Sequence, residues 1–189
     1  MSASHETYPV EVAGIKRDLR LFEIKPGVRI AILNILGDTE LVQAAAKQLA
    51  HKLRPLPIEL LVTAEAKAIP LAHAVSAELN IPYVVLRKSL KPYMGDALQS
   101  ETLSITTGEP QRLFLDEKDR ALLAGKRVAL LDDVISTGST LQGMRLIVNK
   151  AGAEVIAHAA IFTEGDRAAW SDIIALGHLP VFVDGRSNV

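Results

Sequence analysis

The sequence predicts an α/β domain in which a parallel, Rossmann-like sheet is flanked by helices. Three observations carry that prediction. Short apolar runs of strand length alternate with longer stretches whose apolar residues recur at helical spacing. The run Val128, Ala129, Leu130, Leu131 is apolar throughout and bounded by turn residues, as strands covered on both faces are. Chemically distinctive residues follow these runs directly, and parallel sheets bind ligands at the carboxyl ends of their strands.

The elements follow in order. Residues 8–13 and 19–24, split by Gly14, read as a β-hairpin, and 29–33 as another short strand. Asp38 and Thr39 cap a helix carrying Leu41, Val42, Ala45 and Leu49. Residues 58–63 form a strand, 70–79 a helix opened by Pro70, and 83–87 a strand. The theme repeats with a strand at 126–131, a helix at 138–150 stopped by Gly152, and a strand at 154–162. Between Lys88 and Arg127 the alternation breaks. Residues 89–99 are polar and irregular, with Pro92, Tyr93, Met94 and Gly95, and their basic residues suit a lid over anions. Residues 100–106 and 112–115, joined through a Gly-Glu-Pro turn, read as a second hairpin. Trp170 is expected to pack a C-terminal helix or a subunit contact.

At 189 residues, 49% of them apolar, the chain has the size and the core of one domain. A formal charge of −1 gives no electrostatic footprint for nucleic acid or an anionic membrane. The absence of cysteine excludes disulfides and thiolate metal sites and fits a reducing, cytoplasmic setting. The first residues lack the basic and apolar regions of a signal peptide, and no run approaches the ~20 apolar residues of a membrane span. His51, His73, His158 and His178 share no metal-ligand spacing.

Residues 128–140 read VALLDDVISTGST, a buried strand followed by a loop of small hydroxyl residues and a helix start. Backbone N–H groups and the positive end of a helix dipole converge at such a turn, which makes it a phosphate site without any cation. Asp132 and Asp133 cannot bind phosphate there. They suit the hydroxyls of a sugar attached to it, or a hydrated divalent cation. In the plainer alternative the acids only cap the next helix, with Ser136 as N-cap. A cap needs one such residue, and this stretch has seven.

The string resembles the phosphoribosyl-diphosphate (PRPP) signature of type I phosphoribosyltransferases: two apolar residues, two acids, an apolar residue, then a small-residue loop with Thr-Gly. Residues 63–70 resemble the same family's pyrophosphate loop. By that match Lys67 supplies charge, the amides of Ala66 and Lys67 hold oxygens, and Ala68 stands where the family often has glycine. Arg87 and Lys88 match a pair in adenine- and xanthine-type members. Lys91 either joins them or belongs to a solvated basic turn. The three stretches keep the family's order between residues 58 and 150, and the overall likeness is to adenine-type and related purine enzymes.

The resemblance implies a single domain over 1–189, with a hood at 1–37, a core at 38–189 and a mobile loop at 89–99. It implies transfer of a 5-phosphoribosyl group from PRPP to a purine base, adenine-type, with Mg²⁺ as cofactor and a homodimer as the assembly. Ser136, Thr137, Gly138, Ser139 and Thr140 would hold the 5′-phosphate, and Asp132 and Asp133 the ribose diol. Lys67, Arg87 and Lys88 would hold the pyrophosphate. Asp132, Asp133, Lys67 and Arg87 would form the catalytic set, and no residue is assigned to the metal. Val134 and Ile135 would wall the base. Asn34 is either a base contact, as in xanthine-type members, or an ordinary turn residue.

Two departures stand out. Adenine-type enzymes carry a glutamate-tyrosine pair where this chain has Ile105 and Thr106, and Glu101 replaces the glutamate only if the hairpin is shifted. Members for 6-oxopurines often carry a Glu-Arg or Glu-Lys pair where this chain has Thr163, Glu164, Gly165 and Asp166. A PRPP-binding regulator that does not turn the metabolite over is therefore the alternative reading. A PRPP-synthase relative would need a nucleotide site that the sequence lacks.

Overall fold

A computed structural model describes residues 6–103, 110–183 and 186–187. Its centre is a five-stranded parallel sheet made of β4 (Leu60–Ala64), β5 (Tyr83–Leu86), β8 (Arg127–Ile135), β9 (Glu154–Glu164) and β10 (Ile174–Leu179). The order is β10-β9-β8-β4-β5, so the central strand carries the acid pair. An antiparallel sheet is formed by β1 (Thr7–Val12), β2 (Ile15–Lys25), β3 (Val28–Ile32), β11 (Val181–Val183) and β12 (Arg186–Ser187). The hairpin of β6 (Leu98–Leu103) and β7 (Pro110–Leu115) forms a two-stranded sheet, bridged to the end of β5 by reciprocal backbone hydrogen bonds of 2.8 Å between Arg87 and Phe114.

Four helices cover the parallel sheet: α1 (Thr39–Leu53), α2 (Ile69–Leu79), α3 (Glu117–Leu123) and α4 (Ser139–Lys150). Period-two alternation along β8 divides the core. Ala129 and Leu131 pack with α1, α2 and the antiparallel sheet, whereas Val128 and Leu130 pack with α3, α4 and β7. Each leucine fully withdrawn from water contributes about 2 kcal/mol, so burial on both faces holds β8 firmly at the centre.

Local chemistry explains the ends of the helices. Asp38 caps α1 by accepting from Leu41 N–H at 3.1 Å, and Arg17 of β2 holds the same carboxylate at 2.8 Å. The first sheet is thereby tied to the first helix. Pro70 lies in the first turn of α2, and Asn80 ends that helix in the left-handed conformation. Gly152 follows α4 at φ +76°, as its reading as a helix stop requires.

The strands and helices expected between residues 8 and 162 are present, with shifted ends. The largest shift is in β8, which continues through Asp132 and Asp133 to Ile135. Strand register, rather than a flexible turn, therefore aims the acids. Four elements escaped the sequence: α3, β10, β11 and β12. Helix α3 is short, and strands β10 to β12 follow Trp170 where a C-terminal helix was one of its two expected partners; that helix is corrected. Strand β11 pairs with β3, so the antiparallel sheet draws on the chain's far end as well as on residues 1–37.

Residues 89–99 are more structured than their polarity implied. Pro92–Met94 form a 3₁₀ turn with Met94 buried at 1% exposure, and β6 begins at Leu98. Asp96 N–H donates to Glu117 at 2.9 Å, and Arg120 donates to the Asp96 carbonyl. The hairpin is docked on α4. Ser100 Oγ donates to the Gly143 carbonyl at 2.9 Å, and a Cβ on Gly143 would lie 3.1 Å from Leu113. Ile105 and Thr106 lie outside the described residues.

Candidate active site

The carboxyl ends of β4, β5 and β8 converge on one cleft of about 480 Å³. Its walls include Ala66, Lys67, Lys88, Asp132, Asp133, Val134 and Thr140, which sequence reasoning had assigned from three separate stretches. A smaller hollow of about 30 Å³ adjoins it, shaped by residues 134–141 and Asp132. Alternation along β8 sends the two acids to opposite faces. Asp132 is shared by the cleft and the hollow, whereas Asp133 belongs to the cleft alone.

Asp133 is 7% exposed, and its Oδ2 has no hydrogen-bond partner. The nearest cation is Lys67, with Nζ 3.7 Å away, and that ammonium also donates to the Leu33 carbonyl at 3.3 Å. Asp133 N–H donates to Asp132 Oδ1 at 2.9 Å. Burial and then the neighbouring carboxylate push the Asp132 carboxyl well above its ordinary range. Two acids this close cannot both ionise cheaply. A ligand bearing hydroxyl donors, or a cation, relieves them.

The loop of residues 136–140 opens α4 at Gly138, with φ +76° and no side-chain cap, and beyond Ser139 N–H, which donates to Thr137 Oγ1 at 3.4 Å, the N–H groups of its first turn suit an anion. Ser136 is exposed, and Thr137 and Thr140 are half-buried. Ser139 departs from its assignment. It is buried, and its hydroxyl donates to Gln111 Oε1 of β7 at 3.2 Å while lying 3.1 Å from Thr137 Oγ1. Its side chain braces the loop against the hairpin, and its backbone remains at the helix start.

Other assigned residues sit away from the cleft. Arg87 lies 2.5 Å from Glu65 Oε2 as an ion pair, although its buried Nε is not aligned for a hydrogen bond. Lys88 N–H donates to the other Glu65 oxygen at 2.6 Å. Arg87 lines a second cleft of about 490 Å³ across Glu65, not the first. Glu65, unassigned from sequence, thus sorts the two cations: Arg87 is held aside and Lys88 faces the acids. The Glu65–Ala66 peptide is cis. Lys91 is not among the residues lining the cleft; its N–H donates to Met94 Sδ at 3.3 Å. Asn34 accepts from Leu36 N–H at 3.3 Å through its own Oδ1, so its side chain closes a turn. Val134 lines the cleft, and Ile135 is buried beneath it. Glu101 is exposed and pairs with Arg112 at 2.7 Å, away from any role at a base.

No group of three or more His, Asp or Glu among the described residues forms a metal cage. The buried Oδ2 of Asp133, which has no hydrogen-bond partner, is a hard oxygen donor. The pair therefore fits a divalent cation that arrives with its own phosphate oxygens and waters.

Glu164, met above only where the chain departs from the 6-oxopurine pattern, is the last residue of β9 and only 7% exposed. Burial pushes its carboxyl from 4.5 up to about 7. A carboxyl with a raised folded-state value stabilises the fold below its ordinary range, and that benefit is lost as pH rises through the folded value. Between pH 4.5 and 7 the stability difference between wild type and Glu164→Gln should shift by on the order of 3 kcal/mol in the variant's favour, at about 1.4 kcal/mol per pH unit. Urea unfolding at the two pH values measures it; parallel stabilities at both would show that Glu164 ionises freely.

The parallel sheet thus carries a helix start without a side-chain cap and an adjacent acid pair at its carboxyl edge. Residues 32–177 match the phosphoribosyl transferase domain. The chain is 35% identical over 161 residues to a xanthine phosphoribosyltransferase of Chloroflexus aurantiacus, covering 82% of this chain and 75% of that one. It is 28% identical to the purine biosynthesis transcriptional activator PurR of Lactococcus lactis, covering 82% of this chain but only 55% of the regulator. In fold it is similar to adenine phosphoribosyltransferase from Thermoanaerobacter pseudethanolicus, with a TM-score of 0.66 at 21% identity over 92% of this chain and 95% of that one. The chain belongs to the phosphoribosyltransferase family, and its relatives act in purine metabolism.

Proposed function

We propose that the protein transfers the 5-phosphoribosyl group of PRPP to a purine base and releases pyrophosphate. The observation that carries this reading is the acid pair, with Asp133 buried, lying between an uncapped helix start and a lysine-bearing loop in one cleft. A purine nitrogen forms a bond to C1′ of the ribose while the C1′–O bond to pyrophosphate breaks, and pyrophosphate departs with that electron pair. Residues 136–140 hold the 5′-phosphate, chiefly through backbone N–H groups. Asp132 and Asp133 accept from the ribose hydroxyls. Lys67, Lys88 and the amides of Ala66 and Lys67 face the leaving group, where their charge counts most in the transition state. Asp132 and Asp133 would be the residues to meet a Mg²⁺ brought in by the diphosphate, which would supply charge neutralisation there. Val134 gives the base an apolar wall. The proposal extends to a cytoplasmic homodimer and to residues 89–99 closing over the cleft.

For the base, the general likeness and the fold neighbours favour adenine, whereas the identity to the Chloroflexus enzyme favours a 6-oxopurine. Incubating the protein with PRPP, Mg²⁺ and each of adenine, hypoxanthine, guanine, xanthine and orotate, and following pyrophosphate, tests both. Release with one or more purines and none with orotate is expected. PRPP binding with no release from any base would instead support the second reading, a PRPP-sensing regulator, which the likeness to the Lactococcus regulator and Ile105 in the glutamate's place favour.

A further inference from the structure

The loop between β9 and β10 carries an aromatic side chain that the proposed reaction does not use. Trp170 ends a 3₁₀ turn (Arg167–Trp170) with no buried residue, so the turn contributes little to the core. Its indole is placed with care nonetheless. Nε1–H donates to the Glu164 carbonyl at 2.9 Å, and the ring edge lies over Gly138: a Cβ built there would be 3.0 Å from Cη2 and 3.4 Å from Cζ3. The turn is braced from behind. Asp166 accepts from Ala168 N–H at 3.0 Å, Ile173 N–H donates to the Trp170 carbonyl at 3.1 Å, and His178 bridges Thr163 Oγ1 at 2.9 Å and the Gly165 carbonyl at 3.0 Å.

Gly138 is where the phosphate loop has most conformational freedom, because glycine visits both signs of φ almost equally. A loop that samples several shapes presents its N–H groups to an anion only part of the time, and that fraction lowers the apparent affinity. A rigid ring resting on the glycine removes the alternatives. Resting on the PRPP reading of the site, we propose that Trp170 is a positioning residue that holds Gly138, and with it the start of α4, in the phosphate-binding shape. The residue acts on the 5′-phosphate end of the ligand, because its ring lies against Gly138 and it is not among the residues lining the cleft with Lys67 and Lys88.

Trp170 is the only tryptophan of the chain, so its emission reports on the loop directly. Ribose 5-phosphate should change that emission saturably, and inorganic pyrophosphate should change it little. By calorimetry, Trp170→Ala should weaken ribose 5-phosphate about tenfold and leave pyrophosphate within about twofold, whereas Trp170→Phe, which keeps an aromatic ring, should retain most of the affinity. The unchanged pyrophosphate site serves as the control for folding. Equal ribose 5-phosphate affinity in wild type and Trp170→Ala would overturn the proposal and leave the PRPP reading standing. Equal loss of both ligands would also overturn it, since Trp170 would then support the fold at large. Failure of wild type to bind either ribose 5-phosphate or PRPP would remove the reading of the site, and this inference with it.

Discussion

Gly138→Val is expected to abolish PRPP binding while leaving the fold largely intact. The residue sits at φ +76°, where a β-branched side chain is strained by at least 1–2 kcal/mol. Its Cβ would meet Trp170 at 3.0 Å, so backbone or ring must give. Either shift moves the N–H groups that face the anion, and the new methyls occupy the approach that glycine leaves open. Together these should weaken binding on the order of a hundredfold or more. Gly138 is half-exposed and outside both core clusters, so the sheet and its helices have no reason to unfold. Calorimetry with PRPP, alongside circular dichroism, measures both. An unchanged affinity in a folded variant would exclude the loop as the phosphate site.

The double variant Asp132→Asn with Asp133→Asn should weaken PRPP more than tenfold. A hydrogen bond to a charged group is worth about 1.5–3 kcal/mol, and the double change replaces charged acceptors by neutral ones at both positions. The amides keep the shape of the acids, so packing around β8 should be spared. Removing the acids also ends the repulsion that raises Asp132, which should favour the folded state. Weaker binding accompanied by equal or greater stability would identify the pair as functional. Wild-type affinity in the double variant would make the acids structural.

Much of this was legible in the sequence where one local rule decided. The apolar run before Asp132, the cap at Asp38, the proline of α2 and the stop at Gly152 each place an element without reference to the rest of the chain. The cleft was legible for the same reason: residues at the ends of parallel strands must share an edge, so Lys67, Lys88, Asp132 and Thr140 meet. What escaped depends on partners distant in sequence. Nothing near Arg87 says that Glu65 takes it, and nothing near Ser139 says that Gln111 takes its hydroxyl. Asn34 was read with both a base-contacting and a turn role, and only the Leu36 N–H beside its oxygen favours the second. Strands β10 and β11 are short and half-buried, so they lack the apolar run that marks β4 and β8. Trp170 was expected to pack against a C-terminal helix or a subunit contact, and the helix was expected because the last strands were missed. Its true neighbour, Gly138, lies 32 residues earlier, at the difference of the two residue numbers.

The Lys67 ammonium belongs at once to the cleft, through Asp133, and to the antiparallel sheet, through the Leu33 carbonyl just past β3. An anion that draws the ammonium toward itself loosens the tie to Leu33, and a molecule that shifts residues 33–36 frees the ammonium for the anion. Thermodynamic linkage requires that traffic to be symmetric: whatever factor the first ligand applies to the affinity for the second, the second applies to the first. The order in which two substrates arrive is then a matter of rates alone. The free energy they exchange is a property of one lysine and the two oxygens it sits between.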